Sequence, residues 1–194
     1  MPKKLSKQNQ ISEIIKCGKD PVYFMNKYLK IQHPIKGLIP FNTFDFQDDC
    51  VKDFNDHRFN IVLKSRQLGL STLVAAYSVW QAIFYKEKNI LIIATKLAVA
   101  QNFIRKVKTA IKSLPSWLVL PEISANNKQQ VEFTNGSQIK AVPTSEDAGR
   151  SEALTLLIVD EAAFVRNFDD LWMGLYPTLS TGGRAIVLST PNGM

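Results

Sequence analysis

Cysteine is nearly absent from this chain, with only Cys17 and Cys50 in 194 residues. Two thiols without metal-site spacing exclude a disulfide framework and a zinc module, and they point to a reducing compartment. Histidine is equally scarce, and the isolated His33 and His57 are assigned no metal. No apolar run reaches the length of a membrane span. The polar start Met1-Pro2-Lys3-Lys4 has no apolar segment behind it, so no signal peptide is expected. Internal repeats and low-complexity tracts are missing as well. The chain is therefore expected to be cytosolic. Acidic residues are outnumbered 17 to 24 by Lys and Arg, a net charge of +7. That excess fits a nucleic-acid partner, and it fits simple solubility equally well.

What is present supports a folded core, because 45% of the residues are hydrophobic. Residues 1–10 are polar and are expected to fray. Apolar positions at helical spacing over 11–31 predict two short helices, broken by Gly18 and Pro21. Pro34, Gly37 and Pro40 mark a loop. Residues 45–55 predict a short helix with Asp45 as a possible N-cap. Beyond residue 59, apolar strands alternate with helical patterns. Strands are predicted at 59–63, 89–94, 154–159 and 184–189, and helices at 70–86, 97–113 and 169–179. Asn135-Gly136 between two β-rich runs predicts a hairpin. This alternation argues an α/β fold with a mostly parallel sheet flanked by helices. The expected organisation is a small N-terminal helical region over 1–40 and a main domain over 41–194. The chain stops just after a buried strand, and it is expected to be a piece of a longer protein.

The first strand runs into Lys64-Ser65-Arg66-Gln67-Leu68-Gly69-Leu70-Ser71-Thr72. A strand, a loop and a helix in that order make an anion site, because free N–H groups and the helix dipole face the loop. The common phosphate-loop pattern is G-x-x-x-x-G-K-[ST]. Gly69 and Ser71 fit it, but Leu70 occupies the lysine position. Either the loop is dead or its charge has moved to Lys64. Arg66 is placed to contact a γ-phosphate as an arginine finger acting in cis would. Ser71 can place its hydroxyl on Mg²⁺.

A second motif favours a working site. Leu156-Leu157-Ile158-Val159 is an apolar strand ending in Asp160 and Glu161. Asp160 suits Mg²⁺, and Glu161 suits the activation of an attacking water. Ser189-Thr190-Pro191 ends another buried strand, where polar groups can sense the γ-phosphate, although a plain turn reads the same way. Gln47 can bond an adenine edge or simply face solvent. Arg150 sits in a polar loop and either reaches a neighbouring subunit's nucleotide or stays solvated. Arg105, Lys108 and Lys112 share one helix face with Lys106 beside it. That face touches DNA phosphates or is merely solvated.

Taken together, these motifs resemble the ATPase portion of the large terminase subunit of tailed bacteriophages. The matching segments are Phe46-Gln47, Lys64–Thr72, Ala94-Thr95-Lys96 with Ala100-Gln101, Gly149-Arg150-Ser151, Ile158–Ala162 and Ser189–Gly193. The resemblance implies a P-loop NTPase of the additional-strand, conserved-glutamate type, using ATP and Mg²⁺. It implies a motor that pumps double-stranded DNA through a portal ring into a procapsid, working with a small terminase subunit. A homo-oligomeric ring in the cytoplasm of an infected bacterial host is the implied setting. Catalytic roles carry over to Glu161, Arg66 and Arg150. Nucleotide contacts carry over to Gln47 and to the loop from Lys64 to Thr72, metal contacts to Ser71 and Asp160, and coupling to Ser189, Thr190 and Pro191. Leu70 departs from the commoner pattern, while Lys64 matches a deviant loop with lysine at its start. The family's C-terminal nuclease has no counterpart in these residues, so no nuclease activity is expected of them. Two other readings stay open: a helicase-like ATPase and an inactive nucleotide-binding module.

Overall fold

The computed structural model describes residues 5–119, 121–144 and 152–193. Two helices open the chain, α1 (Lys7–Lys19) and α2 (Pro21–Tyr28). The break falls at Asp20, not at Gly18, which lies inside α1. Asp20 accepts from the N–H of Tyr23 and so caps α2, and Pro21 fits a first helical turn, where no N–H partner is needed. Residues 7–10, expected to fray, are helical because Ser6 caps α1.

An antiparallel pair follows: β1 (Lys30–His33) begins where the helical reading ran on to residue 31, and β2 (Gly37–Pro40) falls within the expected loop. His33 Nδ1 accepts from the N–H groups of Ile35 and Lys36, both at 3.1 Å, and closes the turn. Helix α3 (Asp45–Asp56) starts one residue after Phe44, which takes the N-cap position expected for Asp45.

The main fold follows as β3 (Phe59–Leu63), α4 (Leu70–Phe84), β4 (Asn89–Ala94) and α5 (Leu97–Ser113). Then come β5 (Ile123–Asn126), β6 (Gln130–Phe133), β7 (Gln138–Pro143) and β8 (Leu156–Asp160). A 3₁₀ turn (Ala162–Phe164), α6 (Phe168–Leu175), a second such turn (Tyr176–Leu179) and β9 (Arg184–Ser189) complete the chain. The helix expected to reach residue 179 ends at Leu175, because Pro177 carries no N–H to continue it.

Seven strands form one sheet in the order β3-β9-β8-β4-β7-β6-β5. The pairs from β3 through β7 are parallel, and β6 and β5 extend the sheet antiparallel. Two-residue alternation sorts the side chains onto two cores. Ile90, Ile92, Leu156, Ile158 and Ile186 pack under α4 and α5, together with Cys17, Phe24 and Met25 from the N-terminal helices. Leu91, Ile93, Leu157 and Val159 pack under α6. The topology has one decisive consequence for function. Strand β9 lies between β3 and β8, so the loop after β3, the carboxylates after β8 and the turn after β9 emerge side by side at the carboxyl end of the sheet.

Candidate functional site

Gly69 turns β3's loop into α4 with φ of +73°, a left-handed conformation that costs glycine nothing. A Cβ there would lie 2.9 Å from Gln47 Nε2, so the position is also crowded. Gln47 sits on α3, and its amide spans two elements. Its Nε2 donates to the carbonyl of Leu68 at 2.8 Å, and its Oε1 accepts from the N–H of Phe44 at 3.2 Å. It is 2% exposed, so both ends of the amide are spent on holding the loop against α3. Ser65, Arg66 and Gln67 form the exposed rim of the loop, with Gln67 at φ of +64°. Leu70 is 3% exposed and belongs to the core under α4. The residue in the usual lysine position is thus a packing residue.

Lys64 is buried, and its ammonium points at the two carboxylates. It donates to Glu161 Oε1 at 2.6 Å and stands 4.0 Å from Asp160 Oδ1. Ser71 Oγ donates to Asp160 Oδ2 at 2.9 Å. Asp160 Oδ1 is buried with no hydrogen-bond partner. Burial pushes the Asp160 carboxyl above its usual range, against the opposing pull of Ser71 and Lys64. Burial would also raise Glu161, but the bonds from Lys64 and Thr190 outweigh it and hold that carboxyl low. Glu161 is therefore a carboxylate at neutral pH. Its own backbone is left-handed, with φ of +57°, which turns the side chain back towards Lys64 and Thr190.

The turn after β9 completes the arrangement. Thr190 donates to Glu161 Oε2 twice, from its N–H at 3.0 Å and its hydroxyl at 2.9 Å. Ser189 accepts from the N–H of Lys64 at its carbonyl and from the N–H of Ala163 at its hydroxyl. Pro191 is exposed beyond them. The loop, the carboxylates and the turn are thus one hydrogen-bonded unit around a cleft of about 320 Å³.

The structure brings together the loop from Lys64 to Thr72 with Asp160, Glu161, Ser189 and Thr190. Arg150 and the adjoining Ser151 lie outside the described residues. Lys106, which the sequence placed beside a basic helix face, lines this cleft instead. No one-dimensional signal separates it from its neighbours, since only the packing of α5 against α4 turns it inwards. Asp160 with Ser71 is a hard-oxygen pair with one carboxylate oxygen unused, and it fits Mg²⁺, which takes few protein ligands.

One family model and three solved structures bear on this geometry. The family model for the terminase large subunit, T4likevirus-type, N-terminal, matches residues 61–194. The large terminase of the HK97 bacteriophage has a similar fold, with a TM-score of 0.71 at 18% identity over 89% of this chain and 37% of that one. The large terminase ATPase domain of Thermus phage P74-26 aligns with a TM-score of 0.57 at 22% identity, over 71% of this chain and 61% of that one. A large terminase from a thermophilic bacteriophage, solved in complex with ADP, aligns with a TM-score of 0.53 at 16% identity, over 72% of this chain and 34% of that one. This chain therefore spans less than two thirds of each of these structures. It shares the fold of these structures, a mostly parallel sheet flanked by helices.

Proposed function

The chain belongs to the terminase large subunit family, in its N-terminal portion, and from that premise we propose that it is the ATP-hydrolysing motor part of a viral DNA-packaging machine. The observation that carries the proposal is the meeting of Lys64, Ser71 and Glu161 in one cleft at the N-terminus of α4, with Asp160 bonded to Ser71 and Thr190 bonded to Glu161. A loop running into a helix N-terminus offers free N–H groups and the positive end of the helix dipole, which would cradle phosphate.

ATP is the proposed substrate. Mg²⁺ held by Ser71 and Asp160 would neutralise phosphate charge. Lys64 supplies the cation that Leu70 does not, from the opposite end of the loop. Glu161 is ionised and oriented by two neighbours, so it can accept a proton from an attacking water. Arg66 is the exposed guanidinium of the loop and is proposed to meet the charge that develops on the γ-phosphate, with Arg150 as the candidate acting between subunits. Ser189, Thr190 and Pro191 are proposed to couple hydrolysis to motion, because Thr190 is bonded directly to Glu161.

The work proposed for the motor is translocation of double-stranded DNA into a procapsid through a portal ring, as a homo-oligomer acting with a small terminase subunit. Its proposed setting is the cytoplasm of the infected host. Steady-state phosphate release with and without double-stranded DNA tests the reading. Glu161→Gln should abolish turnover while nucleotide still binds, and equal rates for this variant and the wild type would falsify the assignment.

A further inference from the structure

We propose that Lys106, on α5, is a second phosphate-binding residue of the cleft, adding to Lys64 the further positive charge that the β- and γ-phosphates need there. The proposal rests on the reading of the cleft as a nucleotide site. Lys106 lines the cleft together with Lys64, Arg66, Ser71 and Glu161. Its neighbours on the helix behave differently. Arg105 and Lys112 are exposed, and Lys108 donates to the carbonyl of Asn127 at 2.6 Å. Val107 and Ala110 are buried beside it, so Lys106 sits at the border of the packed stripe of α5. Only this lysine of the helix turns into the loop's cleft.

The charge balance of the cleft gives Lys106 its purpose. Lys64 faces both Asp160 and Glu161, at 4.0 and 2.6 Å, so its single positive charge is already matched by carboxylate. Leu70 adds none. A triphosphate entering this cleft needs further positive charge near its terminal oxygens, because two like-charged groups brought into a partly dry site repel strongly. Lys106 makes no hydrogen bond or ion pair with the described residues. Burial lowers its pKa, and the opposing field of Asp160 only partly restores it. A half-buried ammonium without an anion gains most when an anion arrives.

Calorimetric titration of a non-hydrolysable ATP analogue and of AMP, both with Mg²⁺, tests the proposal on the wild type and on Lys106→Met, Lys106→Arg and Lys112→Ala. Methionine keeps the packed stem of the lysine, and far-UV circular dichroism checks that each variant folds. Lys106→Met should bind the triphosphate at least about tenfold more weakly, as the loss of a charged hydrogen bond implies. Its affinity for AMP should change little, Lys106→Arg should recover most of the triphosphate affinity, and Lys112→Ala should match the wild type. Wild-type affinity in Lys106→Met overturns the proposal and leaves the nucleotide site standing. Equal losses in Lys106→Met and Lys112→Ala also overturn it, since they reveal only a general charge effect. A wild type that binds no triphosphate overturns the nucleotide reading itself.

Discussion

Thr190 holds one carboxylate oxygen of Glu161 with two hydrogen bonds, while Lys64 takes the other oxygen at 2.6 Å. The glutamate is thus fixed from the ends of β9, beside its own strand, and of β3, one strand further on the same side. Thr190→Val keeps the backbone bond and removes the hydroxyl bond. A charged hydrogen bond is worth about 1.5–3 kcal/mol, so kcat for ATP should fall by about one to two orders of magnitude. KM should stay near its original value, because the hydroxyl bonds Glu161 and not the loop. Thr190→Ser should retain most activity. A Thr190→Val enzyme with unchanged kcat would show that the turn after β9 does not position the base.

Lys64 and Leu70 should fail in different ways. Lys64→Ala removes the only loop cation that faces both carboxylates, so it should abolish turnover and weaken ATP binding. It should also release Glu161, whose carboxyl Lys64 helps to hold low. Leu70 is 3% exposed in the main core, and truncating a buried leucine costs about 2–5 kcal/mol. Leu70→Ala should therefore lower the urea midpoint while nucleotide affinity changes less. Loss of affinity in Leu70→Ala with full affinity in Lys64→Ala would reverse the assignment of the charge.

The loop, its helix and the carboxylate strand were legible because each carries a local signature. A β-branched run, a glycine at a left-handed turn and an apolar strand ending in two acids are short-range signals. The pairing of β1 with β2 was not legible. Its strands span four residues each, and Pro34, Gly37 and Pro40 argue for a loop. The turn depends on His33 accepting from two N–H groups, which no periodicity reveals. Strand β5 was hidden for a similar reason, since it is short, mostly exposed and irregular in register. Thr190 and Glu161 are separated by 29 residues. Their contact follows only from β9 lying beside β8.

Gln47 offers a test of what its side chain does. Both ends of its amide are bonded within the protein, to Leu68 and Phe44. Gln47→Ala should loosen the loop and raise KM for ATP and GTP together. A rise confined to ATP would show instead that the amide reads the adenine edge.

The N-terminal helices carry a pH-sensitive tie. Lys27 above all, then Tyr28, bonds Glu13 and draws its carboxyl from 4.5 down to about 2. A carboxyl with a depressed folded pKa stabilises the fold above its unfolded value, and that stability is lost as pH falls through the folded value. The contribution should be complete above pH 4.5 and should drain away between there and about pH 2. Thermal midpoints of the wild type and Glu13→Gln should differ near neutrality and converge across that window. A difference that does not depend on pH would mean that the glutamate acts by packing alone.

The face of β3 that points away from the main core is open. Along this strand Asn60 turns inwards at 9% exposure, while Ile61 and Leu63 point the other way at 86% and 75%. On the same side of the sheet, Leu157 and Val159 of β8 are covered by the α6 cluster. That cover reaches β3 only at Phe59, which packs on Trp172 and Tyr176. Among the described residues β3 also has a partner on one edge alone, β9. Bare apolar side chains beside an unpaired strand edge are a recipe for association between copies. Light scattering of this chain should therefore rise with concentration. The double variant Ile61→Thr with Leu63→Lys should suppress that rise. Its thermal midpoint should stay near that of the wild type, because exposed substitutions typically change stability by less than about 0.5 kcal/mol. If the double variant still associates as before, the sticky surface lies elsewhere. If its midpoint collapses, Ile61 and Leu63 are covered in solution by something that packs on β3.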